Sequence, residues 1–82
     1  MIRLCYFAWL RERIGLSQEM VETKAATVLE LVEELRAREP RYEAAFADLS
    51  AVQVAIDQDL TDFEASLEGA REVAFFPPMT GG

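Results

Sequence analysis

The residues best placed to do chemistry are the last eight, Phe75-Phe76-Pro77-Pro78-Met79-Thr80-Gly81-Gly82. Phe75 and Phe76 can finish a buried strand, but Pro77 and Pro78 have no backbone N–H to give a neighbouring strand, so sheet pairing is expected to stop at Phe76. Consecutive prolines favour an extended, semi-rigid polyproline II course, whereas Gly81 and Gly82 carry no side chain and follow almost any path. The expected product is a thin probe ending in a carboxylate. Such an end can enter a slot that admits only backbone, which suits a Gly82 carboxylate that an enzyme must reach and activate.

The rest of the composition narrows the chemistry. Eighty-two residues make one domain, able to bury roughly 60 to 65% of the unfolded chain's surface. The hydrophobic fraction of 51% argues against disorder. A net charge of −7, with no basic run, argues against nucleic acid and against anionic membrane surfaces, and favours a partner with a basic surface. Cys5 is the only cysteine, which excludes an internal disulfide and a Cys-ligated cluster. The absence of histidine removes the commonest general base and metal ligand, so no metal site and no self-contained hydrolase are expected. Arg3, Arg11 and Arg13 interrupt the N-terminal apolar stretch, so neither a signal peptide nor a membrane span is expected there. A reducing cytoplasm fits these features.

The elements that must carry the tail follow in order. Ile2 to Trp9 is apolar on both parities and reads as a first strand, central in a sheet or covered on both faces. Leu10 and Ile14 bracket a short helical turn that Gly15 can terminate, and Glu19 to Lys24 reads as a half-exposed edge strand forming a hairpin with the first. Thr27 and Glu30 fit a capping box, and Val28, Leu31, Val32 and Leu35 share one helical face, which predicts a helix over 27–39 with its Glu-rich face in solvent. Tyr42 to Asp48 predicts a second short helix. Ala51 to Ile56, Leu60-Thr61 and Glu72 to Phe76 predict three further strands, with a turn at Asp57-Gln58-Asp59 and a loop or helical turn over 62–68. A long helix joining the second strand to the third, packed on a mixed sheet of about five strands, is the β-grasp, or ubiquitin-like, arrangement of the α+β class. Residues 1–76 form the body and 77–82 the tail. In the last strand, Val73 and Phe75 are expected to face the helix and Phe76 the outer face, as a partner anchor. Cys5 reads as a small core filler, and Trp9 and Tyr42 as packing residues.

EVAFFPPMTGG resembles the C-terminal signature of the sulfur-carrying small subunits of molybdopterin synthase, and YFAWLRERIG resembles the same family's segment after its first strand. Two positions depart from the family's pattern. Asp57 stands where Asn is common, and Ala70-Arg71 replaces a common Gly-Asp turn. The resemblance implies that the Gly82 carboxylate is joined to AMP by an ATP-dependent, ubiquitin-activating-like enzyme and then receives sulfur from a donor such as a cysteine desulfurase or rhodanese-like protein. The resulting thiocarboxylate is delivered to cyclic pyranopterin monophosphate in the large synthase subunit, within a heterotetramer. It further implies that Gly81, Thr80 and Met79 give access to the partner's slot, that Phe76, Pro77 and Pro78 contact the partner, and that this chain binds no cofactor of its own. The alternatives are a β-grasp carrier for thiazole or tRNA thiolation, a ubiquitin-like modifier conjugated through Gly82, and a plain binding module.

Overall fold

Apolar residues at every second position of Ile2–Tyr6 make the first strand, β1, but only Ile2, Leu4 and Tyr6 enter the core. Arg3 is exposed and Cys5 half-buried on the opposite face, so of the two expected readings the central strand holds: β1 is covered on one face but interior in the sheet. The strand also stops at Tyr6, because a turn at Ala8 redirects the chain and places Trp9 at the start of helix α1 (Trp9–Ile14). Leu10 and Ile14 bury that helix, and Gly15 ends it in the left-handed conformation at φ 88°, donating its N–H to the Arg11 carbonyl. The computed structural model describes residues 1–78. Among these, no helix is long and apolar enough to cross a membrane.

Strand β2 (Gln18–Val21) returns antiparallel to β1 as an edge strand. The main helix, α2 (Val28–Arg38), begins as expected, with Thr27 Oγ1 accepting the Glu30 N–H at 3.2 Å. The return half of the box differs from expectation. Glu30 accepts the Ala26 N–H at 3.5 Å and the Thr27 hydroxyl at 3.4 Å. Two further free N–H groups of the first turn, those of Val28 and Leu29, donate to the carbonyls of Ala65 (3.1 Å) and Phe63 (2.8 Å). The weakly patterned loop over 62–68 therefore supplies acceptors that a helix start otherwise lacks. Pro40 does not merely end α2. It opens α3 (Pro40–Ala45), two residues earlier than predicted, because its fixed φ and missing N–H suit the first helical position.

A 3₁₀ turn, Leu49–Ala51, leads into β3 (Gln53–Ile56), which pairs antiparallel with β4 (Asp59–Thr61). Asp57 and Gln58 both have positive φ, 49° and 73°, the two-residue hairpin form in which both central residues are left-handed. Asp57 Oδ1 also accepts the N–H groups of Arg71 (3.0 Å) and Glu72 (2.9 Å), which pins the turn to the start of β5 (Glu72–Phe76). The two departures from the family pattern, Asp57 and Ala70-Arg71, thus meet in one junction. Strand β5 lies between β1, to which it runs parallel, and β3, to which it runs antiparallel, giving the sheet order β2-β1-β5-β3-β4. This is the mixed β-grasp sheet, with α2 packed on one face through Val28, Leu31, Val32 and Leu35.

Polar atoms join the core at one corner. Glu19 Oε2 on β2 accepts both phenol protons of the chain, from Tyr6 at 2.8 Å and from Tyr42 at 2.6 Å. Arg41 sits over the Tyr42 ring, 5.0 Å from its centroid, and donates to the Ile14 carbonyl at 2.8 Å, tying α3 to the end of α1. Burial first, and the Glu19 carboxylate second, push Tyr42 up to about 12 and Tyr6 further up. Folding therefore holds these phenol protons more tightly than the unfolded chain does. The stabilisation is complete below the ordinary tyrosine range of about pH 10 and is lost as pH climbs beyond it. In a spectrophotometric titration at 295 nm, neither tyrosine should ionise in the ordinary range while the chain is folded, and phenolate should appear together with loss of the fold. A normal titration of either tyrosine with the fold retained would contradict the Glu19 pairing.

Candidate functional site at the base of the tail

Strand β5 decides what the tail leaves from. Phe75 is fully buried, its ring stacked on Tyr6 (centroids 6.0 Å apart) and met edge-on by Phe46 (5.0 Å). Val73 lies on the same side and is also fully buried. Alternation then puts Phe76 on the other face, where it is half-buried, and Pro77 and Pro78 continue from it, also half-buried. The expected assignment of Phe75 to the core and Phe76 to the outer face matches this geometry. The predicted access residues Met79, Thr80 and Gly81, and the predicted reactive residue Gly82, lie outside the described residues.

Among the described residues the outer face around Phe76 carries no helix and mixes polar with apolar side chains, Gln53 pairing directly with Phe76. Its middle is a row of small residues set by strand register: Cys5 pairs with Ala74, and Ala74 with Ala55. Around that row stand Phe7, 50% exposed, and Leu60, 69% exposed, with Met20 at the β2 edge. Since Tyr6 pairs with Phe75 in parallel register, Phe7 and Phe76 follow as neighbours at the end from which the tail departs. The sequence pattern singles out Phe76 but not Phe7 or Leu60. The signal for Phe7 lies in its parity with Arg3 and Cys5, and it is hidden when β1 is read as covered on both faces.

Cys5 must also be reassigned. It is not a filler of the helix-side core but a half-buried residue of this outer face, placed there by the same parity. Burial, and then the Glu72 carboxylate, push its thiol up, which keeps it protonated and a poor nucleophile. Trp9 and Tyr42 pack as expected, Tyr42 in the core and Trp9 against it, with the Arg13 guanidinium 4.8 Å from the Trp9 ring. The described residues contain no group of three or more acidic, Cys or His side chains arranged to hold a metal. A depression of about 390 Å³ lined by Arg3, Asp57, Gln58, Arg71 and Glu72 lies at the far end of β5 from the tail.

The described residues thus form a β-grasp body that buries one aromatic of its last strand and offers the next at the root of a Pro-Pro exit. The chain belongs to the ThiS family, whose model matches residues 4–82. It is 37% identical over 82 residues, all of both chains, to the molybdopterin synthase sulfur carrier subunit of Escherichia coli K12. Identity to the subunit of the same name from Haemophilus influenzae is 34%, again over the whole of both chains. The family and these full-length relatives give the chain the role of a sulfur carrier in molybdenum cofactor biosynthesis. Among solved structures, SAMP1 of Haloferax volcanii superposes with a TM-score of 0.77 at 24% identity, covering 99% of this chain and 98% of that one. A putative molybdopterin converting factor subunit 1 of Pyrococcus furiosus gives 0.72 at 24% identity, covering 95% and 97%. These two likenesses establish the fold.

The two faces of the sheet predict opposite responses to substitution. Phe75→Ala should lower stability by about 3 to 5 kcal/mol, from lost burial plus the cavity left between Tyr6 and Phe46. Cys5→Ala should change it by less than about 1 kcal/mol, since the side chain is small and only half covered. Urea unfolding followed by the fluorescence of Trp9 measures both, and a Cys5→Ala loss as large as that of Phe75→Ala would place Cys5 back in the core.

Proposed function

We propose that this chain is the small, sulfur-donating subunit of a molybdopterin synthase and that Gly82 is its reacting residue. The carboxylate of Gly82 attacks ATP in an adenylating partner, releasing pyrophosphate and leaving an acyl-adenylate. The terminal sulfur of a donor persulfide then displaces AMP, and cleavage of the resulting S–S bond by a thiol leaves the thiocarboxylate. Inside the large subunit, that sulfur passes to cyclic pyranopterin monophosphate, and hydrolysis regenerates the carboxylate. Each dithiolene holds two sulfurs, so two loaded carriers are consumed per product. Gly81, Thr80 and Met79 thread the partner's slot. The work is done in the reducing cytoplasm, which a single unpaired cysteine suits. What carries the reading is the full-length likeness to two molybdopterin synthase sulfur carrier subunits. The body adds support: its anchored Phe75 aims Phe76, Pro77 and Pro78 away from the core, and no step asks this chain for a base or a metal.

Mass spectrometry of the chain after incubation with an adenylating enzyme, ATP and a persulfide donor should show one oxygen replaced by sulfur at Gly82. Deletion of Gly82, or one residue added after it, should abolish loading with the melting midpoint unchanged. An extended chain that loads at the normal rate without trimming would sink the assignment of Gly82. Stable conjugates to lysines of other proteins on a denaturing gel, with no self-loading, would favour a modifier instead.

For the docking of the large subunit, Phe76 is the central anchor, with Phe7 as its neighbour on β1. Phe76→Ala should weaken binding by about 2 kcal/mol, roughly thirtyfold, with little change in melting midpoint. Calorimetric titration tests this, and normal binding by a Phe76→Ala chain that melts early would reverse the roles of the two aromatics.

A further inference from the structure

The charge of the chain is unevenly placed. Seven of its 15 acidic residues and none of its eight basic ones fall between Tyr42 and Ala70, so that segment carries the whole net charge of −7 and the rest of the chain is neutral. The segment runs from α3 through β3 and β4 to the loop before β5, on the side of the sheet where β4 is the free edge. A groove of about 320 Å³ opens there, with Leu49, Val52, Leu60 and Phe63 among its lining residues. Leu60 is 69% exposed and Leu49 and Phe63 are half-buried, so apolar area is left uncovered in the free chain. Three passages of the chain bring these side chains to the groove, and each brings exposed carboxylates beside them: Asp48 before Leu49, Asp59 before Leu60, and Asp62 and Glu64 on either side of Phe63. The ion pairs among the described residues, Arg3 with Glu72 and Arg41 with Glu39, lie elsewhere. The carboxylates are also too dispersed to chelate, since no three acidic side chains among the described residues are arranged to hold a metal ion. They make a negative rim around an apolar floor. Because Ile56 and Asp59 pair across a two-residue turn, alternation directs the Leu60 N–H and C=O away from β3, to the open edge.

We propose that this groove along β4 docks an extended, basic segment of a partner protein, in which lysine or arginine alternates with aliphatic side chains. Its aliphatic side chains cover Leu49, Leu60 and Phe63, its cations meet the rim, and its backbone pairs with the free main-chain groups of Leu60, in the manner of a strand added to a sheet edge. A second copy of this chain would bring the same negative rim and is repelled, whereas a basic segment is attracted before contact. Docking at Phe76 is not required for this.

The probe is the blocked peptide Lys-Val-Arg-Leu-Lys-Val-Arg, compared with the same peptide carrying Glu in place of every Lys and Arg. Titrated into the isotope-labelled chain and followed by amide chemical shifts, the basic peptide should bind saturably, with the shifts centred on Leu49 to Val52 and Leu60 to Glu64, and the acidic peptide should not bind. Asp59→Asn combined with Glu64→Gln, two exposed carboxylates without an ion-pair partner among the described residues, should weaken the basic peptide about fivefold or more. Glu12→Gln combined with Glu33→Gln removes the same charge from exposed positions elsewhere and should change affinity by less than about twofold. Leu60→Ala should weaken it about threefold or more with the melting midpoint unchanged. Absence of saturable shifts, shifts spread equally over the Glu-rich face of α2, or equal losses from the two double variants would each overturn the proposal. So would groove amides that move with the concentration of the chain alone, which would make a second copy the occupant. None of these outcomes touches the loading of Gly82 or the binding of the large subunit at Phe76, which are measured separately.

Discussion

The stack of Tyr6 on Phe75, closed by the edge of Phe46, is the contact on which the rest of the structure depends. It lies where the parallel pairing of β1 and β5 meets the antiparallel pairing of β5 and β3, so one ring sets the register of three strands. A slip of one residue would carry Phe75 to the outer face and bring Phe76 inward, exchanging every side chain of β5 between core and surface. It would also shift the point from which Pro77 and Pro78 depart. Burial of a single aromatic therefore determines which residues stand at the root of the tail and which way the tail is aimed.

The Glu19 corner complements this apolar lock with a directional one. A carboxylate taking two phenol protons fixes the orientation of both tyrosine rings, and Tyr6 is the ring on which Phe75 stacks. Through Tyr42 and Arg41, the same corner fixes α3 against the end of α1. Apolar packing alone tolerates several ring orientations of similar energy, whereas a short hydrogen bond to a charged acceptor selects one. The edge strand β2, with four residues and one buried side chain, contributes little to the core. Its Glu19 nonetheless reaches the aromatic cluster that orients the tail.

Much of this arrangement is legible in the order of residues alone. The 3.6-residue spacing of Val28, Leu31, Val32 and Leu35, with Thr27 at the cap, identifies α2, and the double proline marks the end of β5 at Phe76. What escapes is information carried by contacts distant in sequence. Nothing local in Phe63 or Ala65 announces that their carbonyls will receive the first N–H groups of α2. The strand parity of Cys5 and Phe7 is visible, but apolar residues on both parities look alike whether the outer face is packed or merely awaits a partner. The positive φ of Ala8 leaves no mark on the sequence at all, because only the contacts on either side, the Phe7 N–H on the Phe75 carbonyl and the buried Leu10, hold it there. The tail is singled out by its own residue types, the double proline and the two glycines, and by its likeness to the family signature.

A surface that must be both stable alone and available to partners faces a conflict, because apolar residues strong enough to dock are strong enough to self-associate. This chain divides the load. The middle of the outer face holds the small residues Cys5, Ala74 and Ala55, which offer little area each, and the larger Phe7, Phe76 and Leu60 stand around them. The net charge of −7 makes copies of the chain repel one another, while a basic partner is attracted. On the docking reading proposed above, specificity would come from electrostatics at a distance and from aromatic rings on contact. The anchored Phe75, whose carbonyl accepts the Phe7 N–H, sets where Phe7 and Phe76 stand, so the apolar area that is offered can remain small.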